Sequence, residues 1–146
     1  MKHLTLCAAL LLCCNAHAAT YVYQANAYQG HGGRCGRALL PFQVTITVRK
    51  AFPPNSNLND APLQAISINA GGKLQWGYRA TKKRELGGLF VTDSNGDITE
   101  WNIGASMSRF KQFRTSTEAG PVEDVVEFKC GSAENQNDPG AWTRTE

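Results

Sequence analysis

The stretch Phe42-Gln43-Val44-Thr45-Ile46-Thr47-Val48-Arg49 alternates apolar and polar residues without a break. Successive side chains of an extended chain point to opposite faces. Phe42, Val44, Ile46 and Val48 therefore share one face, and Gln43, Thr45, Thr47 and Arg49 the other. Burying such a face favours folding by about 1.5–3 kcal/mol per large side chain. Lys73–Arg79 repeats the scheme, with Leu74, Trp76 and Tyr78 inward. Val126–Cys130 does so again, which puts Cys130 on the buried face with Val126 and Phe128. Weaker patterns predict strands at Tyr21–Ala27, Leu63–Ile68, Leu86–Thr92, Ile98–Ile103 and Met107–Arg114. Phe110 and Phe113 sit three apart, so a short helical turn over Met107–Phe113 competes with the last of these. No internal repeat, coiled coil or long helical period appears. The expectation is an all-β chain of about eight short strands, an antiparallel sandwich or barrel.

Turn chemistry separates the strands. Ala70-Gly71-Gly72-Lys73, Asn95-Gly96 and Ala119-Gly120-Pro121 mark breaks. Gln29–Gly36 reads as a glycine-rich connection, and Phe52–Asp60 as a polar surface loop. The segment Asp93-Ser94-Asn95-Gly96-Asp97 admits a second reading, as a calcium loop. The twelve-residue calcium loop needs glycine at position 6 and glutamate at position 12. Counted from Asp93, those positions hold Ile98 and Gly104, and Gly96 comes two residues early. Asn-Gly between two apolar runs is instead a strong hairpin signal. A two-residue turn at Asn95-Gly96 would pair Phe90 with Trp101; a four-residue loop, Asp93–Gly96, would pair Val91 with Ile98.

The chain opens MKHLTLCAALLLCCNAHAAT. A short basic start, an apolar run from Leu4 to Cys14 and the small-x-small site Ala16-His17-Ala18 form a secretory signal peptide. The run is shorter than the roughly 20 residues a membrane-spanning helix needs. Residues 1–18 are therefore expected to be removed, leaving 19–146 as a single all-β domain without a membrane span and with a secreted or periplasmic location. Lys2 leaves with the peptide, so 14 Lys and Arg face 12 Asp and Glu, a balance that implies no particular partner. Cys35 and Cys130 are the two cysteines that stay. In an exported protein such a pair is expected to form one disulfide. It would close a loop of about 95 residues, a constraint contributing at most about 4–5 kcal/mol in the chain-entropy model.

Catalytic chemistry lacks parts. His31 is the one histidine beyond the signal peptide, so a tetrahedral zinc site has no second imidazole and no C-x-x-C. No G-x-S-x-G is present, and a cysteine nucleophile would have to come from the disulfide pair. Carboxylates that meet only in the fold, as in glycosidases, stay open. Asp124 shares a face with Val126, and Glu100 lies beside Trp101; both read most simply as strand-end and solvent-face charges. Basic residues cluster at Lys73, Arg79, Lys82, Lys83 and Arg84 and at Arg109, Lys111 and Arg114. The export signal and the balancing acids argue for a solvated face over a nucleic-acid surface. Trp76 and Trp101 are expected to fill the core.

The segment TDSNGDITEWNI, Thr92–Ile103, resembles the recurrent T-D-x-x-G-x-I-x-x-W-x-I of small uncharacterised secreted domains of Gram-negative bacteria, as found among exosortase-sorted (PEP-CTERM) proteins. The aromatic first strand TYVYQANAY, the alternating LLPFQVTITV and the late Asn137-Asp138-Pro139-Gly140-Ala141-Trp142-Thr143 agree with it. The chain lacks the Pro-Glu-Pro sorting tail of those proteins, and its cysteine pair is not part of their pattern. The resemblance implies an all-β extracytoplasmic domain and carries no catalytic residues.

Together these readings lead to an exported, non-catalytic β-domain with no cofactor and no metal. Its expected role is binding or structural, at the envelope or in the extracellular matrix, with a polysaccharide or an envelope protein as partner. The alternatives are a small hydrolase using carboxylates assembled by the fold, and an exported inhibitor or immunity-type protein.

Overall fold

A computed structural model describes residues 18–34, 39–71, 75–81, 87–108, 111–117 and 123–145. Two antiparallel sheets pack face to face in a sandwich-like arrangement. The first sheet holds β1 (Ala19–Gln24), β3 (Gln43–Val48), β5 (Ala65–Asn69), β6 (Gln75–Arg79) and β12 (Ala141–Thr145), in the order β12-β1-β3-β5-β6. The second holds β2 (Gly30–Gly33), β4 (Asn57–Leu58), β7 (Leu89–Thr92), β8 (Ile98–Ser108), β9 (Lys111–Ser116), β10 (Glu123–Phe128) and β11 (Gly131–Gln136), in the order β2-β11-β10-β9-β8-β7-β4. The described residues thus form twelve strands, where about eight were expected.

Alternation dictates what each strand buries. Val44, Ile46 and Val48 of β3 face inward with Phe42, and Ala19, Tyr21 and Tyr23 of β1 line up beside them. Phe90, Trp101, Ile103, Phe113 and Val126 answer from the second sheet. Aromatic rings interdigitate across the interface. Tyr23 meets Trp101 at 5.2 Å, Phe42 meets Phe113 at 6.2 Å, and Trp76 stands edge-on to Phe128 at 5.4 Å. Such tilted pairs add about 0.5–1.5 kcal/mol each beyond the area they bury.

The Asp93–Asp97 hairpin is a turn, and its geometry differs from both expected forms. Phe90 pairs with Trp101 and Val91 with Glu100, as a two-residue turn would give, yet Thr92 pairs with Ile98. Five residues form the loop, and Thr99 is an extra residue in β8. This β-bulge explains a phase problem in the sequence. Ile98 and Trp101 are three apart and yet both buried, which strict alternation forbids. Asp93, Ser94, Asn95 and Gly96 form a turn closed by the Gly96 amide on the Asp93 carbonyl at 3.1 Å. Gly96 alone takes a left-handed φ, of 84°, while Asn95 does not. Its hydrogen in place of a side chain also matters, since a Cβ there would lie 3.1 Å from the Phe52 carbonyl oxygen.

Other expectations need correction. Gln29–Gly36 contains β2, paired with β11, rather than only a connection. Phe52–Asp60 contains β4, and Phe52 itself is core. β11 (GSAENQ) lacks apolar alternation because two of its inward positions are Ala133 and Asn135. In the Met107–Phe113 stretch the described residues are strand, not helical turn, and Ser108 pairs with Lys111. Cys130 is not on the Val126 face: it sits exposed in the β10–β11 turn, and Phe128 is half-buried. Residues 1–17, which hold nearly all of the expected signal peptide, lie outside the described residues, as do Cys35, Leu74, Phe110 and Ala119–Pro121.

Candidate functional site

Chemistry-bearing side chains gather in two places, one sealed and one open. The sealed group follows from strand alternation. Asp124 lies two residues before Val126 on β10, so it points inward and is 0% exposed. Its register partners are Thr115 on β9 and Asn135 on β11, both buried. Three polar side chains therefore sit abreast inside the second sheet. Tyr23 reaches them from the first sheet. Its hydroxyl donates to Asp124 Oδ2 at 2.6 Å and accepts from the Gly140 amide at 2.8 Å. Trp101 Nε1 donates to Thr115 Oγ1 at 2.7 Å, and Asn135 Nδ2 to the Asp138 carbonyl at 2.6 Å.

Burial holds the Asp124 carboxyl above the usual carboxylate range. Hydrogen bonds from Thr115, Tyr23 and the Gly140 amide pull the other way without cancelling it, and the charge of Asp138 adds to the rise. Asp124 Oδ1 makes no hydrogen bond of good geometry. Burial first, and then the Asp124 bond, push the Tyr23 phenol up. A carboxyl with a raised pKa has the profile of a general acid, but a general acid must reach a substrate. Asp124 instead ties the two sheets together. The expectation that Asp124 is a solvent-face charge is thus overturned, because its strand turns it inward; Glu100 is exposed as expected.

The open place is a cleft of about 480 Å³ beside the end of β3. Its floor and walls include Ala51, Phe52, Pro53, Leu58, Pro62 and Leu63, and Arg49 and Lys50 stand at its mouth. The elements that build it are distant in sequence but tied together by the backbone. The Phe52 amide donates to the Tyr21 hydroxyl at 2.9 Å, Ala61 to the Gly88 carbonyl at 2.8 Å and Gln64 to the Thr47 carbonyl at 2.8 Å. Asn55 and Asp60 take left-handed φ of 49° and 53°, which turns the chain at both ends of β4. A shallower depression shares Arg49, Gln64 and Ala80 with the cleft and adds Arg79. The sequence signal for this site was weak: a polar run, Asn55–Asp60, bracketed by Pro53, Pro54 and Pro62.

The residues singled out from sequence fall elsewhere. His31 lies on β2, edge-on to Tyr28 at 5.9 Å. Among the described residues no group of three or more His, Cys, Asp and Glu could hold a metal ion. The Asp93 carboxylate is turned onto its own loop, accepting from the Asn95 amide at 2.8 Å and the Asp97 amide at 3.0 Å. Those bonds hold it below the usual carboxylate range. Trp76 and Trp101 are buried as expected, and Trp142 packs against the core. Arg79 is exposed on β6 of the first sheet, and Arg114 on β9 of the second pairs with Glu123 at 3.4 Å. The other members of the two basic clusters have side chains outside the described residues. No protein-family model matches the chain, and neither a curated protein nor a solved structure matches it.

Proposed function

We propose that the chain is an exported, non-catalytic β-domain that binds a ligand through the cleft beside β3, with a role at the envelope or in the extracellular matrix. One contrast carries this reading. Among the described residues the open cleft is lined without a carboxylate, histidine, cysteine or hydroxyl side chain, while Asp124, whose carboxyl burial holds above the usual range, is sealed. A hydrolase built on Asp124 would need that carboxyl to reach a substrate, and its burial speaks against it. Stacking on sugar rings would call on indoles, and all three tryptophans are directed into or packed against the core. The cleft is therefore the better binding surface.

Export rests on the signal-peptide pattern, with cleavage after Ala18. In its support, β1 begins at Ala19, whose side chain is already buried at 2% exposure. The extracytoplasmic all-β likeness of Thr92–Ile103 points the same way. A Cys35–Cys130 disulfide belongs to this reading. Gly33 pairs with Gly131, next to Cys130, and its backbone approaches so closely that a Cβ on Gly33 would lie 2.6 Å from the Cys130 carbonyl oxygen. Cys35 is two residues further along, within about 7 Å of chain.

The test is co-sedimentation of the protein with envelope fractions of its own cell. Leu58→Trp fills the cleft and should abolish retention, with the thermal melt reporting that the fold is intact. Equal retention of wild type and Leu58→Trp would defeat the assignment of the cleft.

A further inference from the structure

Resting on the cleft as the binding site, we infer that its ligand is a single-chain fatty carboxylate. The floor is continuous with the core: Phe52 stacks on Tyr21 at 4.9 Å and meets Phe90 at 4.9 Å, and Leu63 is 3% exposed. Polar lining is sparse, with Asn59 and Gln64 the neutral hydrogen-bonding side chains. A carbohydrate would leave most of its hydroxyls without partners there, at a cost for each. An alkyl chain leaves none.

The mouth has one sign of charge. Arg49 and Lys50 are exposed, and the adjoining depression adds Arg79. None of the three forms an ion pair with a described carboxylate, and no described acid lines either depression. Guanidinium and ammonium groups set at the rim of an apolar cleft complement a carboxylate at the end of an apolar tail. Size then selects one chain rather than two. The 480 Å³ of the cleft lies in the lower half of the roughly 300–1,000 Å³ typical of small-ligand pockets. Pro53 and Pro62 fix the backbone at two points of the wall, so the shape is formed before binding.

Titration calorimetry of the purified protein with sodium octanoate, decanoate and laurate, each below its micelle concentration, tests the assignment. Saturable binding should tighten about three- to fourfold per added methylene. The double variant Arg49→Gln/Lys50→Gln, altered only at exposed positions, should bind laurate about fivefold more weakly. Dodecanol should bind wild type no better than laurate binds that variant. Absence of saturable laurate binding, or affinity indifferent to chain length or to the two cations, overturns the ligand class. If laurate fails while Leu58→Trp still abolishes envelope retention, the ligand class falls and the cleft stands. If both fail, the cleft falls with it.

Discussion

Tyr23→Phe isolates the contact that joins the two sheets. The substitution removes one oxygen and leaves the ring. Its packing on Trp101 at 5.2 Å, Trp142 at 5.3 Å and Phe42 at 6.0 Å is kept, so apolar burial changes little. What is lost is a hydroxyl that donates to Asp124 Oδ2 and accepts from the Gly140 amide. A hydrogen bond to a charged group is worth about 1.5–3 kcal/mol and a neutral one about 0.5–1.5 kcal/mol. Both partners stay in the interior, so the loss should be about 2–4 kcal/mol. That is a large part of the 5–15 kcal/mol that holds a typical domain together. It should lower Tm by roughly 8–15 °C for a domain of this size. The pH dependence has a definite sign. The native Asp124 pKa is raised, so the unfolded chain gives up this proton first as pH climbs. Stability tied to Asp124 is full below the usual carboxylate range near 4 and is lost as pH rises through the native pKa. Asp124→Asn removes that loss, so its stability relative to wild type should increase with pH above about 4. Urea unfolding of both variants between acid and neutral pH measures this. A Tyr23→Phe loss under 0.5 kcal/mol, or an Asp124→Asn difference that is flat with pH, would refute the account of the buried cluster.

Further outcomes follow from the hairpin and the chain ends. Gly96→Ala places a side chain at φ 84° facing the Phe52 carbonyl, and should cost about 1–2 kcal/mol in urea unfolding. Asp93 contributes through a depressed pKa, so its support of the turn is present above the usual carboxylate range and fades as pH falls through the native value. The difference between wild type and Asp93→Ala should therefore shrink in acid, as read by thermal melts; a difference that grows in acid would contradict the turn. Mass spectrometry of the exported, non-reduced protein should give residues 19–146 less two hydrogens; an intact Met1 or two free thiols would refute cleavage or the bridge.

Much of the sandwich was readable from residues whose chemistry matched their position. Gln43–Val48 alternates cleanly, and its buried face appeared as read. The unreadable parts share physical causes. β11 carries Asn135 inward because Thr115, Asp124 and Asn135 line up as register partners across three strands, and no single strand shows that row. Asp124 looked like a surface charge for the same reason: its partner Tyr23 is 101 residues away. Thr99 hid the phase of β8, since a bulge shifts alternation by one. Cys130 continued an alternating run in sequence, yet the chain turns after Phe128 and leaves it exposed. The cleft was the least readable. It draws on positions 48–53, 58–59 and 61–64 and on Ala80, and its shape comes from loop bonds to Tyr21, Thr47 and Gly88.

In this reading the cleft beside β3 receives an apolar chain ending in a carboxylate. Amide chemical shifts of the isotope-labelled protein, followed during a laurate titration, test it most directly. The account predicts shifts concentrated at Arg49–Phe52, Leu58–Gln64 and Ala80, saturating together, with Asp124 and Asn135 unmoved. Shifts centred elsewhere, or none at saturating laurate, would contradict it.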